Sequence, residues 1–160
     1  MKPRIYVETS VISYLAARPS RNALTGFRQL QTRRWLDKAA VLCTLEVSEL
    51  VRLEIAAGDL TAAKRRLDFL ATMSLLNLHD GVGEFAKRLL SEGLVPRSEP
   101  EDASHIAQAT LTGVDYIATW NFAHMVGPQA KYRLVQNIER WGFKAPLLAT
   151  PEEILEGVLL

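Results

Sequence analysis

Short apolar runs alternate along the chain with longer stretches in which apolar residues recur every three or four positions. The short runs are rich in β-branched and aromatic residues, which is typical of buried strands. They lie at 4–7, 41–47, 75–78, 115–119 and 146–149. The longer stretches predict helices at 11–17, 22–38, 49–57, 60–71, 82–91, 101–112 and 129–140. This alternation predicts an α/β fold with a mostly parallel sheet that helices cover.

Residues that punctuate the chain agree with these elements. Gly58 and Asp59 favour the end of one helix and the start of the next. Two segments, 98–101 and 150–153, match the capping-box pattern of a helix N-terminus. No internal repeat and no linker rich in Pro, Gly or Ser interrupts the sequence, so we expect one domain over residues 1–160.

Composition narrows the class of protein. The chain is 48% hydrophobic and 23% charged, as is normal for a folded, soluble protein. The net charge of +1 gives no argument for nucleic-acid binding, although a local basic patch can suffice. The single cysteine, Cys43, cannot build a disulfide framework or a cysteine zinc site, which fits a reducing cytoplasm. No apolar run approaches the roughly 20 residues of a membrane helix, and Glu8 interrupts the N-terminus too early for a signal peptide.

Three acidic residues occupy positions that otherwise face the core. Glu8 follows the first strand directly, and ligands of parallel α/β sheets bind beyond the carboxyl ends of the strands. Glu54 shares one side of a predicted helix with Leu50, Leu53 and Ala57. At this stage a marginal position, with the carboxylate reaching water, explains Glu54 about as well as a functional role.

The third acid is Asp102, which lies in line with Ile106 and Ala109 near a predicted helix N-terminus. Simple stabilisation of the helix dipole is the structural alternative for this position. Asn121 follows the strand at 115–119 and is expected at the same sheet edge as Glu8, whereas Asp115 begins that strand and is interpreted as structural. Acids gathered at one edge repel one another without a cation, and hard oxygen ligands suit Mg²⁺ or Mn²⁺.

Four stretches together resemble the PIN-domain proteins, and most of all the VapC-like toxins of bacterial toxin–antitoxin pairs. They lie at 6–20, 47–59, 101–125 and 146–157, in the order that the family has. The resemblance implies a three-layer α/β/α sandwich around a five-stranded sheet. It also implies a Mg²⁺- or Mn²⁺-dependent endoribonuclease that hydrolyses RNA, forms a homodimer and is inhibited by a cognate antitoxin protein.

The resemblance also assigns roles residue by residue. It implies that Glu8, Glu54 and Asp102 hold the metal and, with Asn121, carry catalysis, and that Ser10 and Thr119 support the acids. Two positions depart from the family pattern, because the first acid is commonly Asp and the fourth position commonly carries a charge. The pattern implies in-line attack of water on an RNA phosphorus, with Glu54 or Asp102 as the residue that orients the water.

Substrate contacts and rival functions remain open from the sequence. Basic candidates for RNA phosphates lie at 18–21, 33–34 and 64–66, and each of these groups is more often a solvated face. Trp120 and Phe122 either stack on a base or pack into the core. The glycines at 81 and 83 match part of a dinucleotide fingerprint, but no second strand carries the acid that this motif needs. The serious rival is a PIN-like protein with negligible nuclease activity that binds RNA or protein.

Overall fold

The computed structural model describes residues 1–121 and 128–158, where eight helices surround a five-stranded sheet. The strands are β1 (Arg4–Val7), β2 (Thr44–Ser48), β3 (Ser74–Leu76), β4 (Tyr116–Ala118) and β5 (Leu147–Ala149). The helices are α1 (Thr9–Ala16), α2 (Ala23–Leu42), α3 (Glu49–Ile55), α4 (Leu60–Leu70), α5 (Val82–Ser91), α6 (Pro100–Thr112), α7 (Pro128–Arg140) and α8 (Pro151–Gly157). The strand order is β3-β2-β1-β4-β5 and every pair is parallel, which confirms the predicted three-layer α/β fold.

Strand β1 lies at the centre of the sheet. Its residues Ile5, Tyr6 and Val7 are fully buried because β2 and β4 flank the strand and helices cover both faces. Val7 is in register with Ala118 of β4, and the backbone N–H of Glu8 donates to the Ala118 carbonyl over 3.0 Å. The residues that follow β1 and β4 therefore leave the sheet side by side.

Helix α6 crosses the sheet face that carries Tyr6. Seven of its thirteen residues are buried, and one of them, His105, contacts the Tyr6 hydroxyl. Helix α5 packs on α6, whereas α1 contacts α2, α3 and α4, and α2 also packs on α8. None of the helices in the described ranges combines the length and the apolar character needed to span a bilayer.

The start of the second strand differs from its prediction. The run at 41–47 reads as one strand, but Val41 and Leu42 form the last turn of α2 and are exposed. The Cys43 backbone N–H still bonds to the Ala39 carbonyl, so Cys43 closes this helix and the strand begins at Thr44. A short apolar run does not distinguish a strand from the end of a helix, which explains the error.

The two capping-box motifs also behave differently. Thr150 and Glu153 form both bonds of the box at the start of α8. Ser98 does not cap α6, because this helix begins at Pro100 with Glu99 as its N-cap and no side-chain cap bond. The segment at 98–101 therefore has the sequence of the motif without its structure.

Candidate active site

Glu8 is a buried carboxylate with a complete set of donors on one oxygen. It is 2% exposed and caps the N-terminus of α1. Its Oε2 accepts from the Ser10 backbone N–H over 2.9 Å, from the Thr119 hydroxyl over 2.9 Å and from the Ser10 hydroxyl. A buried charge of this kind is tolerated only when such donors compensate for the lost water.

The same donors tie the end of β4 to the start of α1. The Trp120 backbone N–H donates to Ser10 Oγ over 2.9 Å, and the Asn121 backbone N–H donates to Thr119 Oγ1 over 3.0 Å. Asn121 is exposed at this edge. The structure thus brings Glu8, Ser10, Thr119 and Asn121 together at the carboxyl end of the central strands.

Glu54 reaches the same region through a chain of hydrogen bonds. Its Oε1 lies 2.5 Å from His105 Nε2, and His105 Nδ1 lies 2.7 Å from the Tyr6 hydroxyl. The Tyr6 hydroxyl in turn lies 2.8 Å from Ser48 Oγ. His105, Tyr6 and Ser48 are buried, whereas the Glu54 side chain is 37% exposed. We call this chain of four side chains the relay.

The electrostatics of the relay fix its protons. Burial raises the pKa of Glu54, but the hydrogen bond and the charge of His105, with help from the Thr9 hydroxyl, leave that pKa below its ordinary value. Burial raises the pKa of Tyr6 far above its usual range, against the Ser48 hydrogen bond, and the charges of Glu8 and Glu54 raise it further. Glu54 is therefore ionised at neutral pH and Tyr6 is neutral, so we assign the donated proton of the Glu54 bond to His105 Nε2.

The charges of both carboxylates raise the pKa of Tyr6, so Glu8 and Glu54 both lie near this buried phenol. Asp102 lies in the first turn of α6, one helical turn before His105, and is partly buried. The structure therefore brings Glu8 and Glu54 to one locality and sets Asp102 on the helix that carries the relay histidine.

The acids of this region supply oxygen donors of the kind that a divalent cation needs. Within residues 1–121 and 128–158, no three His, Cys, Asp or Glu side chains are grouped so that they could hold a metal ion. The chemistry of the available oxygens nevertheless suits Mg²⁺ or Mn²⁺. All hydrogen bonds of the Glu8 side chain with described residues go to Oε2. The buried Thr9 hydroxyl, which lies near Glu54, has no hydrogen bond of ordinary geometry with the described residues. These residues fit the ion in kind, but the described structure does not group Asp102 with Glu8 and Glu54 as a three-ligand site.

Comparison with solved structures places this arrangement in a known fold. One match is a chain of VapBC2 from Rickettsia felis, solved bound to a DNA fragment from its promoter, with a TM-score of 0.59 and 14% identity over 92% of this chain and 98% of that one. Another is VapC20 from Mycobacterium tuberculosis, a sarcin-ricin loop cleaving toxin, with a TM-score of 0.53 and 18% identity over 87% of this chain and 95% of that one. The chain has a VapC-like PIN fold. No model of a protein family matches the sequence. No curated protein matches it either.

At the opposite end of this PIN fold, Asp115 has the structural role that the sequence indicates. Its carboxylate accepts from the Arg4 backbone N–H over 2.8 Å and pairs with Lys144. The Arg4 N–H first, and Lys144 next, hold the pKa of Asp115 below its ordinary value. Beside it, Arg4 pairs over 3.0 Å with Glu46, an acid in β2 that the sequence analysis does not single out.

The predicted apolar stripe of helix α3 needs correction. The buried side of α3 carries Val51 and Ile55, whereas Leu53 is 62% exposed, so the predicted stripe of Leu50, Leu53 and Ala57 is wrong. Glu54 is therefore not an acid on an apolar face. It lies at the edge of α3, and His105 holds its carboxylate. The sequence pattern of a seven-residue helix is too short to define which of its faces is buried, which explains the error.

The sequence favours a packed or surface position for His105 and leaves a position near the site as the alternative; the structure buries it and places it in the relay. The available signal is its spacing of three residues from Asp102, which puts both side chains on one helix face. Trp120 packs against the core rather than lying free for a base, with its Nε1–H donating to Thr32 over 2.9 Å. Phe122, the other aromatic candidate, lies outside the described residues.

Proposed function

We propose that this protein is a Mg²⁺- or Mn²⁺-dependent endoribonuclease that hydrolyses RNA phosphodiester bonds and acts as the toxin of a toxin–antitoxin pair. The observation that carries the proposal is the position of two acids near buried Tyr6: Glu8 follows the central strand, and Glu54 is joined to the Tyr6 hydroxyl through His105. This is the end of the sheet where parallel α/β proteins bind ligands. The likeness of the fold to VapC20, a sarcin-ricin loop cleaving toxin, supports RNA as the substrate class.

In this proposal Glu8, Glu54 and Asp102 hold the ion. When bound, such an ion polarises a phosphodiester and lowers the pKa of a bound water. The remaining work belongs to the chain: Ser10 and Thr119 fix the Glu8 carboxylate, and His105 fixes that of Glu54. Glu54 is ionised at neutral pH and partly open to solvent, so it can orient the attacking water.

Asn121 stands where many PIN proteins have a fourth acid, and its amide is neutral. It can donate a hydrogen bond to a phosphate oxygen but adds no charge for a second ion. We therefore propose that Asn121 contacts the substrate, and that the ion is held by the three acids alone.

The direct test is RNA cleavage in Mn²⁺ by the wild type and by Glu8→Gln, Glu54→Gln and Asp102→Asn. We expect each variant to lose at least about a hundredfold in rate, the scale for loss of an electrostatic or acid–base catalytic group. Glu49→Gln is the matched control, because Glu49 lies in the same helix as Glu54 but pairs with Arg52 over 2.7 Å. Equal cleavage by wild type and all three variants would contradict the proposal.

A second candidate function is a catalytically weak PIN-like protein that binds RNA or protein. The neutral Asn121 favours it, as does the absence of a three-ligand group within the described residues. Calorimetric titration with Mn²⁺ separates the two functions. Saturable uptake that Glu8→Gln abolishes supports the nuclease, whereas no uptake, together with metal-independent RNA binding, supports the binding module.

The partners follow from the same proposal. VapBC2 was solved on a promoter fragment, which supports a cognate antitoxin protein as a partner of this chain. We also propose a homodimer. Growth arrest on expression in a bacterial host, relieved by Glu8→Gln and by the antitoxin, tests the toxin assignment, and sedimentation equilibrium tests the dimer.

A further inference from the structure

Arg28 is a cation held beside the candidate active site by aromatic side chains. It lies in the first third of α2 and is partly buried. Its Nη1–H donates to the Tyr14 hydroxyl over 3.2 Å, and its guanidinium carbon lies 5.4 Å from the centre of the Trp120 ring. The Tyr14 ring meets Trp120 edge-to-face, with the ring centres 6.0 Å apart. We call Arg28, Tyr14 and Trp120 the arginine platform.

Hydrogen bonds connect the platform to Glu8. The Trp120 indole is fixed by its Nε1–H bond to Thr32, one turn after Arg28 in α2. The Trp120 backbone N–H donates to Ser10 Oγ, which itself donates to Glu8. Arg28 therefore stands one side chain away from the residues that hold the first acid.

No described acid compensates the charge of Arg28. Within residues 1–121 and 128–158, no carboxylate lies within ion-pair distance of it, and the Tyr14 bond occupies only one of its five N–H groups. Taking an unpaired charge partly out of water is unfavourable, and the stacking on Trp120 offsets only part of this cost. The remaining donors form a planar fork that matches the oxygens of a phosphate.

We propose that Arg28 binds a backbone phosphate of single-stranded RNA next to the phosphodiester that is cut. The inference rests on the proposed nuclease function and names a substrate contact for it. Trp120 is then a support that aims the guanidinium, not a surface on which a base stacks. The three basic groups singled out by the sequence analysis do not include Arg28, because it stands apart from other basic residues in the sequence.

The test is binding of a fluorescent, mixed-sequence single-stranded RNA 12-mer in EDTA, where no divalent ion is present and no cleavage occurs. We expect Arg28→Ala to weaken binding about tenfold, the scale for one charged hydrogen-bonded contact. The slope of log affinity against log salt should fall by about 0.7, the value for one lost phosphate contact on a single strand. Arg28→Gln keeps most of the side-chain length and should reduce the salt slope by the same amount. It replaces the alanine variant if that variant does not fold.

Arg88→Ala is the matched control. Arg88 also stacks on a tryptophan, 4.0 Å from the centre of the Trp141 ring, but it pairs with Glu92 over 3.4 Å. Its removal should change neither the affinity nor the salt slope. A polyglutamate probe of the same charge distinguishes RNA from an acidic protein segment, and equal weakening for both probes would overturn the RNA assignment.

The two proposals fail in different ways. If the wild type cleaves RNA in Mn²⁺ and Arg28→Ala and Arg28→Gln keep the wild-type salt slope, the arginine platform has no substrate role while the nuclease stands. If the wild type does not bind the RNA at all, the inference about Arg28 falls. If RNA binds with the expected slope change but Mn²⁺ produces no cleavage, the nuclease falls and Arg28 remains an RNA contact.

Discussion

At the scale of single residues, His105 is the side chain on which the relay depends. It is 1% exposed and joins Tyr6 to Glu54, two residues 48 positions apart in the sequence. Because both ring nitrogens have partners, the imidazole has one orientation, and the Glu54 carboxylate is held with it. We therefore interpret His105 as a residue that positions the Glu54 carboxylate.

We predict that His105→Ala raises the pKa of Glu54. The contact with His105 lowers this pKa against the effect of burial, so its loss leaves burial to dominate. Carbon-detected NMR titration of the Glu54 carboxyl measures the change. The variant should also lose about 1–3 kcal/mol of stability, since the buried Tyr6 hydroxyl loses a partner.

His79→Ala is the control for this prediction. The His79 side chain is exposed, and within the described residues its one hydrogen bond is from the Gly81 backbone N–H to Nδ1, over 3.0 Å. Its removal should leave the titration of Glu54 unchanged. An unchanged Glu54 titration in His105→Ala itself would mean that the relay does not govern this carboxylate.

Residue positions were predictable from sequence where one element determines them. Glu8 directly follows a buried strand, and Asn121 comes soon after another, so the edge they share could be inferred from parallel topology. His105 and Arg28 were not predictable, because their partners Tyr6 and Trp120 lie 99 and 92 positions away. Such contacts depend on the orientation in which each helix packs on the sheet, and no local sequence pattern specifies that orientation.

At the scale of elements, the two capping-box motifs allow a comparison within one chain. Thr150 accepts from the Glu153 backbone N–H over 3.1 Å, and Glu153 accepts from the Thr150 N–H over 2.8 Å. We predict that Thr150→Ala lowers the free energy of unfolding by about 1 kcal/mol, the usual value of an N-cap. Urea denaturation measures this difference.

Ser98→Ala is the matched substitution in the motif that does not form. Because Glu99 rather than Ser98 is the N-cap of α6, this change should alter stability by less than about 0.5 kcal/mol, as for an ordinary surface site. Equal losses in the two variants would show that the motif at 98–101 caps α6 after all. The comparison shows why a motif predicts a helix start more reliably than it predicts the bonds there.

Asp115 links three elements at the amino end of the sheet, and its lowered pKa makes the stability of the fold depend on pH. It precedes β4, accepts from the first residue of β1, and pairs with Lys144 before β5. Its lowered pKa means that its stabilisation is complete above the pKa of the unfolded chain, near 3.8, and is lost as pH falls through the lower folded value. Asp115→Asn should therefore destabilise the protein at pH 6.

The difference in free energy of unfolding between wild type and Asp115→Asn should narrow below about pH 4, where the Asp115 carboxyl of the unfolded chain becomes protonated. Urea titrations at pH 6, 5, 4 and 3.5 measure it. Asp68→Asn serves as the control, because Asp68 is exposed and its carboxylate makes no hydrogen bond or ion pair with the described chain. A gap that stays constant down to pH 3.5 would contradict the role of Asp115.

At the scale of the whole molecule, alternation of strands and helices was enough to predict a parallel α/β sheet. The order β3-β2-β1-β4-β5 was not derivable from that alternation, since any strand of the series can occupy the centre. The burial of Ile5, Tyr6 and Val7 shows why β1 takes this place, as it is apolar on both faces. This central position is also what sets Glu8 between the ends of two neighbouring strands.

Binding of the proposed metal ion would make the stability of this fold depend on a ligand. Glu8 closes the central strand and Glu54 lies on α3, so an ion held by both would join two segments that separate on unfolding. We predict that free Mn²⁺ at a hundred times its dissociation constant raises the free energy of unfolding by about 2.7 kcal/mol. Urea denaturation with and without Mn²⁺ measures the rise without any assay of activity.

Glu8→Gln and Glu54→Gln should abolish this stabilisation, because each removes a charged oxygen ligand. Glu49→Gln should retain it, since the Glu49 carboxylate is paired with Arg52. The same rise in all four proteins would place the ion elsewhere, and no rise in the wild type would leave the acids without a cation. In that second case the short bond from His105 to Glu54 is itself the neutralising contact, and the relay serves structure rather than catalysis.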